Sequence, residues 1–195
     1  MGNLYSFNSE KRDQRRVVNV REIICRSGFR MLGVFIFSVQ LWGCSEEKAR
    51  SVLPVGQTIP TMVLGDMQGA SIDLERYRGK TLILNVWATW CPPCRAEMPA
   101  LDQLSKRLPA KDYKVLALSI DEDMNLVREF LIKYKIDLDV VVDRGGQLTT
   151  RLLGVESYPE TLIISKEGVV LARISGEKDW AAPHMVNRIV QLSGS

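Results

Sequence analysis

Residues 81–94 read TLILNVWATWCPPC. The first eight, Thr81 to Ala88, form a nearly continuous apolar run, the pattern of a strand buried on both faces. Pro92 and Pro93 suit the first turn of a helix, where a missing N–H costs nothing. Cys91 and Cys94 therefore fall where a buried strand gives way to a helix. The first cysteine of such a pair faces unpaired backbone N–H groups and the positive end of the helix dipole. That environment favours thiolate over thiol and lowers the pKa. The two-residue spacing lets the second sulfur reach the first and close a disulfide. Cys91 is expected to be the exposed nucleophile, and Cys94, one turn in, the thiol that resolves a mixed disulfide. Neither Pro92 nor Pro93 has an N–H to offer the Cys91 sulfur, so the Cys94 amide is its nearest helix donor. Few donors imply a moderately lowered pKa and a reductant or middling exchanger rather than a strong oxidant.

Outward from this segment, strand and helix patterns alternate. Upstream, Thr61–Leu64 and Ala70–Leu74 flank a Gly-rich turn and read as a hairpin. Downstream, the helix from Pro92 contains Pro99, which should kink it. Lys114–Ile120 reads as a second buried strand, Glu122–Tyr134 as a helix, Leu138–Val142 as a strand and Gln147–Leu153 as a short helix. Thr161–Ser165 and Val169–Ile174 are joined by a Lys166-Glu167-Gly168 turn, and Trp180–Leu192 reads as a closing amphipathic helix. Alternation of this kind implies an α/β fold with parallel strands and helices on both faces.

The 195 residues suit one domain plus an extension, and 46% apolar with 25% charged is ordinary for a globular chain. Residues before Cys44 carry seven basic and three acidic side chains; the remainder carries 19 and 20. The basic balance thus belongs to the N-terminal segment, and the folded part offers no electrostatic case for nucleic acid. Cys25 and Cys44 lie far from the close pair, so the chain is not a disulfide-stapled scaffold. A zinc site needs a second ligand pair, and none is present. The single histidine, His184, follows Pro183 and reads as a solvated helix residue. A purely structural disulfide is the bland alternative for Cys91 and Cys94.

Arg12, Arg15, Arg16, Arg21, Arg26 and Arg30 precede the apolar run Met31–Trp42 (MLGVFIFSVQLW). Its length fits a signal-peptide core rather than a membrane span. The ending Leu41-Trp42-Gly43-Cys44 resembles a bacterial lipobox. The resemblance implies cleavage before Cys44 and lipid on its sulfur, with Cys25 leaving in the signal. The expected organisation is a signal peptide over 1–43, a polar tether over 44–54 and a domain over 55–195. In proteobacterial lipoproteins an Asp after the lipid cysteine marks inner-membrane retention; with Ser45 there instead, the resemblance implies an outer membrane where the host has one.

WCPPCRAEMP (Trp90–Pro99) and GVESYPETLII (Gly154–Ile164) are the signatures on which the chain resembles the TlpA, ResA and CcmG branch of the thioredoxin superfamily. The resemblance covers about Val55 to the C-terminus. It implies a thioredoxin-like fold: a central mixed sheet, helices on both faces, an N-terminal hairpin and an inserted βα unit between Lys114 and Leu153. It implies that Pro159 is a cis-proline facing the cysteines, with the Tyr158 backbone offered to substrate and metal capture by the thiols blocked. Glu97 takes the position of a family acid that influences thiol titration, and its spacing from Cys94 puts both on one helix side. Glu160 matches the family and is expected to tune the site or meet substrate. Asn85 stands where thioredoxin keeps a buried acid; an amide is no general base, which turns attention to Glu97 and Glu160. Trp90 is expected to be partly exposed for docking, and Trp87 to be core.

The resemblance implies an extracytoplasmic, membrane-tethered thiol–disulfide oxidoreductase that reduces protein disulfides. It needs no cofactor beyond the Cys91–Cys94 disulfide and no metal, and a monomer is expected. It also implies a DsbD- or CcdA-like membrane reductant. Apocytochrome c is one substrate it suggests; general thiol repair and reduction of a copper-protein thiol site are equally permitted. Two other classes stand beside this reading: a Cu(I) chaperone using both sulfurs as soft ligands, and a redox-inert binding lipoprotein.

Overall fold

The structure, a computed structural model, describes residues 52–194. The expected signal peptide, Cys25, the lipid site Cys44 and residues 44–51 of the tether lie outside the described residues. The elements are β1 (Val63–Asp66), β2 (Ser71–Asp73), β3 (Thr81–Trp87), α1 (Pro92–Arg107), β4 (Tyr113–Ser119), α2 (Met124–Tyr134), β5 (Asp139–Val142), β6 (Glu160–Ile164), β7 (Val170–Ser175) and α3 (Pro183–Ser193).

The apolar run becomes β3, and every one of its residues is buried. The reason is its place: the sheet order is β2-β1-β5-β4-β3-β6-β7, so β3 has a partner on each side. It pairs with β4 in parallel and β6 in antiparallel fashion. β4 and β5 are also parallel, whereas β1–β2, β1–β5 and β6–β7 are antiparallel. Strand–helix alternation accordingly accounts for the parallel centre alone, and the two hairpins make the sheet mixed. This is the thioredoxin-like α/β class.

Side-chain alternation sorts β3 into two faces. Asn85 and Trp87 point to one: the Trp87 ring meets Phe130 of α2 at 5.3 Å, and Asn85 meets α1. Burying an aromatic of this size contributes about 1.5–3 kcal/mol. Leu84 and Val86 point to the other face, opposite Leu162 and Glu160 of β6.

Local departures from the sequence pattern have local causes. The closing helix starts at Pro183, not Trp180, because proline takes the first helical position and holds Ala182 extended (φ −63°, ψ 138°). The short helix expected over Gln147–Leu153 is a 3₁₀ turn at Arg144–Gly146 followed by a π turn at Thr149–Leu153. α1 runs unbroken through Pro99.

The chain is anchored to the domain from Leu53 onward. The Leu53 N–H donates to the Leu153 carbonyl (3.3 Å), Gly56 donates to Val170 (2.8 Å), and Thr58 bridges Val169. Among the described residues no helix is long and apolar enough to cross a membrane.

Candidate active site

β3 ends at Trp87 and α1 begins at Pro92, so the intervening loop sits at the end of a wholly buried strand. Cys91 caps α1, with Pro92 and Pro93 in its first turn. Cys91 and Cys94 form a disulfide, S–S 2.10 Å and Cα–Cα 5.3 Å. The Cys94 amide donates to the Cys91 sulfur at 3.3 Å, the contact expected once both prolines are removed from the donor list. Cys91, expected to be exposed, is only 5% exposed, and Cys94 is fully buried. The Cys91 sulfur is bonded here to that of the enclosed Cys94. It remains the more accessible of the two. Trp90 beside it is 61% exposed, while Trp87 is core.

A second loop arrives next to this one because β6 pairs with β3, placing Glu160 opposite Val86. Its Tyr158–Pro159 peptide bond is cis. The Tyr158 ring meets Trp90 edge-on, centroids 5.9 Å apart. Trp90, Cys91, Tyr158 and Pro159 thus come from two loops that the sheet brings side by side.

Glu97 lies one turn beyond Cys94 on α1 and is almost fully buried. Its Oε1 accepts from Asn85 Nδ2 (2.7 Å), and its Oε2 accepts from Trp180 Nε1 (2.8 Å) and the Lys178 backbone N–H (3.0 Å). Burial raises its pKa above the ordinary carboxylate value; these three donors pull the other way. Asn85 Nδ2 also donates to Thr161 Oγ1 (2.9 Å), while Asn85 Oδ1 is buried without a partner among the described residues. Rotating that amide would turn an acceptor toward a protonated Glu97. Asn85, itself no proton carrier, is thereby the side chain through which β3 touches the acid.

Glu97 and Glu160, both expected near the thiols, are on opposite faces of the sheet. Thr161 shares the Asn85 and Glu97 face, so its neighbour Glu160 points the other way. There Glu160 Oε1 pairs with Arg173 Nε and Nη2, each at 2.7 Å. Arg173 Nη1 also donates to the carbonyls of Leu53 (2.9 Å) and Leu153 (2.6 Å). The pair ties the entering chain to the sheet.

Three contributors were not visible in the sequence. Trp180, assigned to a helix by periodicity, is a fully buried donor to Glu97. Lys178 contributes its backbone rather than its charge. Asp121, at the end of β4, accepts from the Thr89 N–H (3.0 and 3.2 Å), the Thr89 hydroxyl (2.6 Å) and the Ser119 hydroxyl (2.9 Å). This pins the loop two residues before Cys91. A buried carboxylate ending an apolar strand is a signal that could have singled out Asp121.

The arrangement combines a disulfide at a helix N-terminus, an accessible aromatic rim and a buried acid behind the resolving sulfur. These are the parts needed for thiol–disulfide exchange.

Comparison with known proteins agrees. The Redoxin family model matches residues 54–189. Over 126 residues the chain is 34% identical to the thiol-disulfide oxidoreductase ResA of Bacillus thuringiensis, covering 65% of this chain and 72% of that one. It is 35% identical over 127 residues to ResA of Geobacillus thermodenitrificans, with the same coverage. Among solved structures, a candidate thiol:disulfide interchange protein DsbE from Chlorobium tepidum superposes with a TM-score of 0.62 at 29% identity, covering 73% of this chain and 96% of that one. The thioredoxin domain of a thiol-disulfide oxidoreductase from Bacteroides vulgatus shares the fold, TM-score 0.63 at 19% identity, covering 72% and 99%.

Proposed function

Because the chain belongs to the Redoxin family and is a thiol–disulfide oxidoreductase, we propose that it works in the reducing direction, outside the cytoplasm, tethered to a membrane through lipid on Cys44. In the reduced protein the Cys91 thiolate attacks one sulfur of a protein disulfide. That S–S bond breaks, and the other substrate sulfur leaves as a thiolate that takes up a proton. Cys94 then loses its proton and attacks the Cys91 sulfur, freeing the second substrate thiol. Two electrons have passed to the substrate, and the Cys91–Cys94 disulfide remains. A membrane reductant of the DsbD or CcdA type restores the dithiol. Glu97, one turn from Cys94, serves the proton step, and the Trp90–Tyr158–Pro159 rim receives the substrate. Apocytochrome c, whose haem-site cysteines must stay reduced, is the substrate proposed.

The observation carrying the direction is the donor set at Cys91: the Cys94 amide is its backbone donor, and two prolines occupy the positions between. A thiolate with few donors gains little stabilisation, so the reduced form is not favoured as it is in strong oxidants. Equilibration with glutathione buffers tests this. The expected potential is more negative than about −200 mV; a value near the roughly −120 mV of a strong periplasmic oxidant would contradict the direction.

A further inference from the structure

Beyond the disulfide, an open cleft of 620 Å³ is lined chiefly by Arg144, Gly145, Gly146, Gln147, Thr150 and Arg151. We propose that it docks a carboxylate-bearing segment of the protein substrate, an acidic stretch flanking the disulfide that Cys91 attacks. This rests on the thiol-exchange reading above and adds a substrate class to it.

Position is the first support. Gly146 forms part of the cleft wall, and a Cβ built on it would sit 3.5 Å from the Tyr158 hydroxyl. The Tyr158 ring in turn meets Trp90, the residue before Cys91. One aromatic side chain therefore separates the cleft from the reacting sulfur's loop, so a chain crossing the Trp90–Tyr158 rim reaches the cleft within a few residues.

Charge is the second. Arg144 and Arg151 are exposed, and among the described residues neither makes an ion pair or side-chain hydrogen bond. The wall also holds one carboxylate, Asp143, which is largely buried and whose Oδ2 accepts from the Thr149 N–H (2.6 Å) and hydroxyl (2.7 Å). Glu122 approaches Gly145 from the rim and offsets part of the positive field. In the wall itself two unpaired guanidinium forks stand against one carboxylate, half of which is engaged by Thr149. Arginine forks match carboxylates in geometry as well as sign.

Shape is the third. Gly145 (φ 71°) and Gly146 (φ 68°) take left-handed backbone that side chains resist; Gly145 is exposed, whereas Gly146 is buried against Ile120 and Tyr158. The volume falls in the range of about 300–1,000 Å³ typical of ligand sites.

The test uses two synthetic peptides with the same internal disulfide, one flanked by Asp and Glu, the other by Asn and Gln. The reduced protein is assayed on each at low and high salt. The wild type is expected to show a kcat/KM about three- to tenfold higher on the acidic peptide, residing in KM and shrinking with salt. Arg144→Gln/Arg151→Gln should bring the ratio close to one. Arg188→Gln, on the exposed face of α3, is the charge control and should keep the wild-type ratio. Equal rates on both peptides in the wild type, or a preference that survives in the double variant, overturns the cleft proposal while leaving thiol exchange intact. Failure to exchange with either peptide refutes both.

Discussion

Replacing Trp180 with Phe isolates a single hydrogen bond to the buried acid. The indole N–H reaches Glu97 Oε2 at 2.8 Å from a fully buried ring. Phe keeps an aromatic there but cannot donate, so the carboxylate falls from three donors to two. A hydrogen bond to a charged group contributes about 1.5–3 kcal/mol. At about 1.4 kcal/mol per factor of ten, Glu97 in the variant should bind its proton roughly ten- to a hundredfold more tightly. The consequence for stability has a definite sign. Glu97 already titrates above its ordinary value of 4.5 because it is buried. Between that value and the folded one, the native state holds a proton the unfolded chain has lost, so stability falls as pH rises through the window and levels off above it. Raising the folded value further lengthens the window. The variant's deficit should therefore be smallest near pH 4, where Glu97 is protonated in the folded protein, and should grow by up to about 1.5–3 kcal/mol as pH rises through the folded-state titration. Urea unfolding of the oxidised proteins, measured across that range, gives the deficit at each pH. A deficit that does not change with pH would refute the claim that the indole N–H holds down the proton affinity of Glu97.

Three further outcomes follow from the same geometry. Pro92→Ala restores a backbone N–H in the first turn of α1; the Cys91–Cys94 potential should rise by tens of millivolts, read by glutathione equilibration, with about 30 mV per 1.4 kcal/mol. Asp121→Ala orphans the Thr89 N–H and hydroxyl and should lower stability by about 1–3 kcal/mol in chemical denaturation. It should also increase the exchange-averaged motion of Trp90, read from fluorescence anisotropy decay. Glu160→Gln leaves Arg173 without its charge partner in a half-buried setting and should destabilise by about 3 kcal/mol, within the range for breaking a buried pair. It should leave the pH dependence of Glu97 unchanged, because the two acids occupy opposite faces of the sheet.

What could be read from the sequence was what depends on neighbours in the chain. The apolar run of β3, the proline-marked start of α1 and the spacing of Cys91 and Cys94 are local, and each appears where the pattern placed it. The resemblance added the cis bond before Pro159, which no local propensity reveals. What the sequence hid depends on register. Glu160 follows Pro159 and so looked like part of the thiol site; strand alternation turns it to Arg173, two positions diagonally across the β6–β7 pair. Trp180 extends the apolar period of α3 by one turn, but Pro183 sets the helix start and frees the indole to reach Glu97, 83 residues upstream. The tie between Asp121 and Thr89 spans 32 residues and exists only because β3 and β4 end side by side.

The most direct test of redox exchange at Cys91 is covalent capture. Cys94→Ala is reduced, mixed with a disulfide-bonded protein, quenched with acid and mapped by mass spectrometry. A mixed disulfide on Cys91 is the expected result, because without Cys94 no other thiol among the described residues stands beside it to resolve the adduct. Absence of any adduct on a reduced, accessible Cys91 would contradict it.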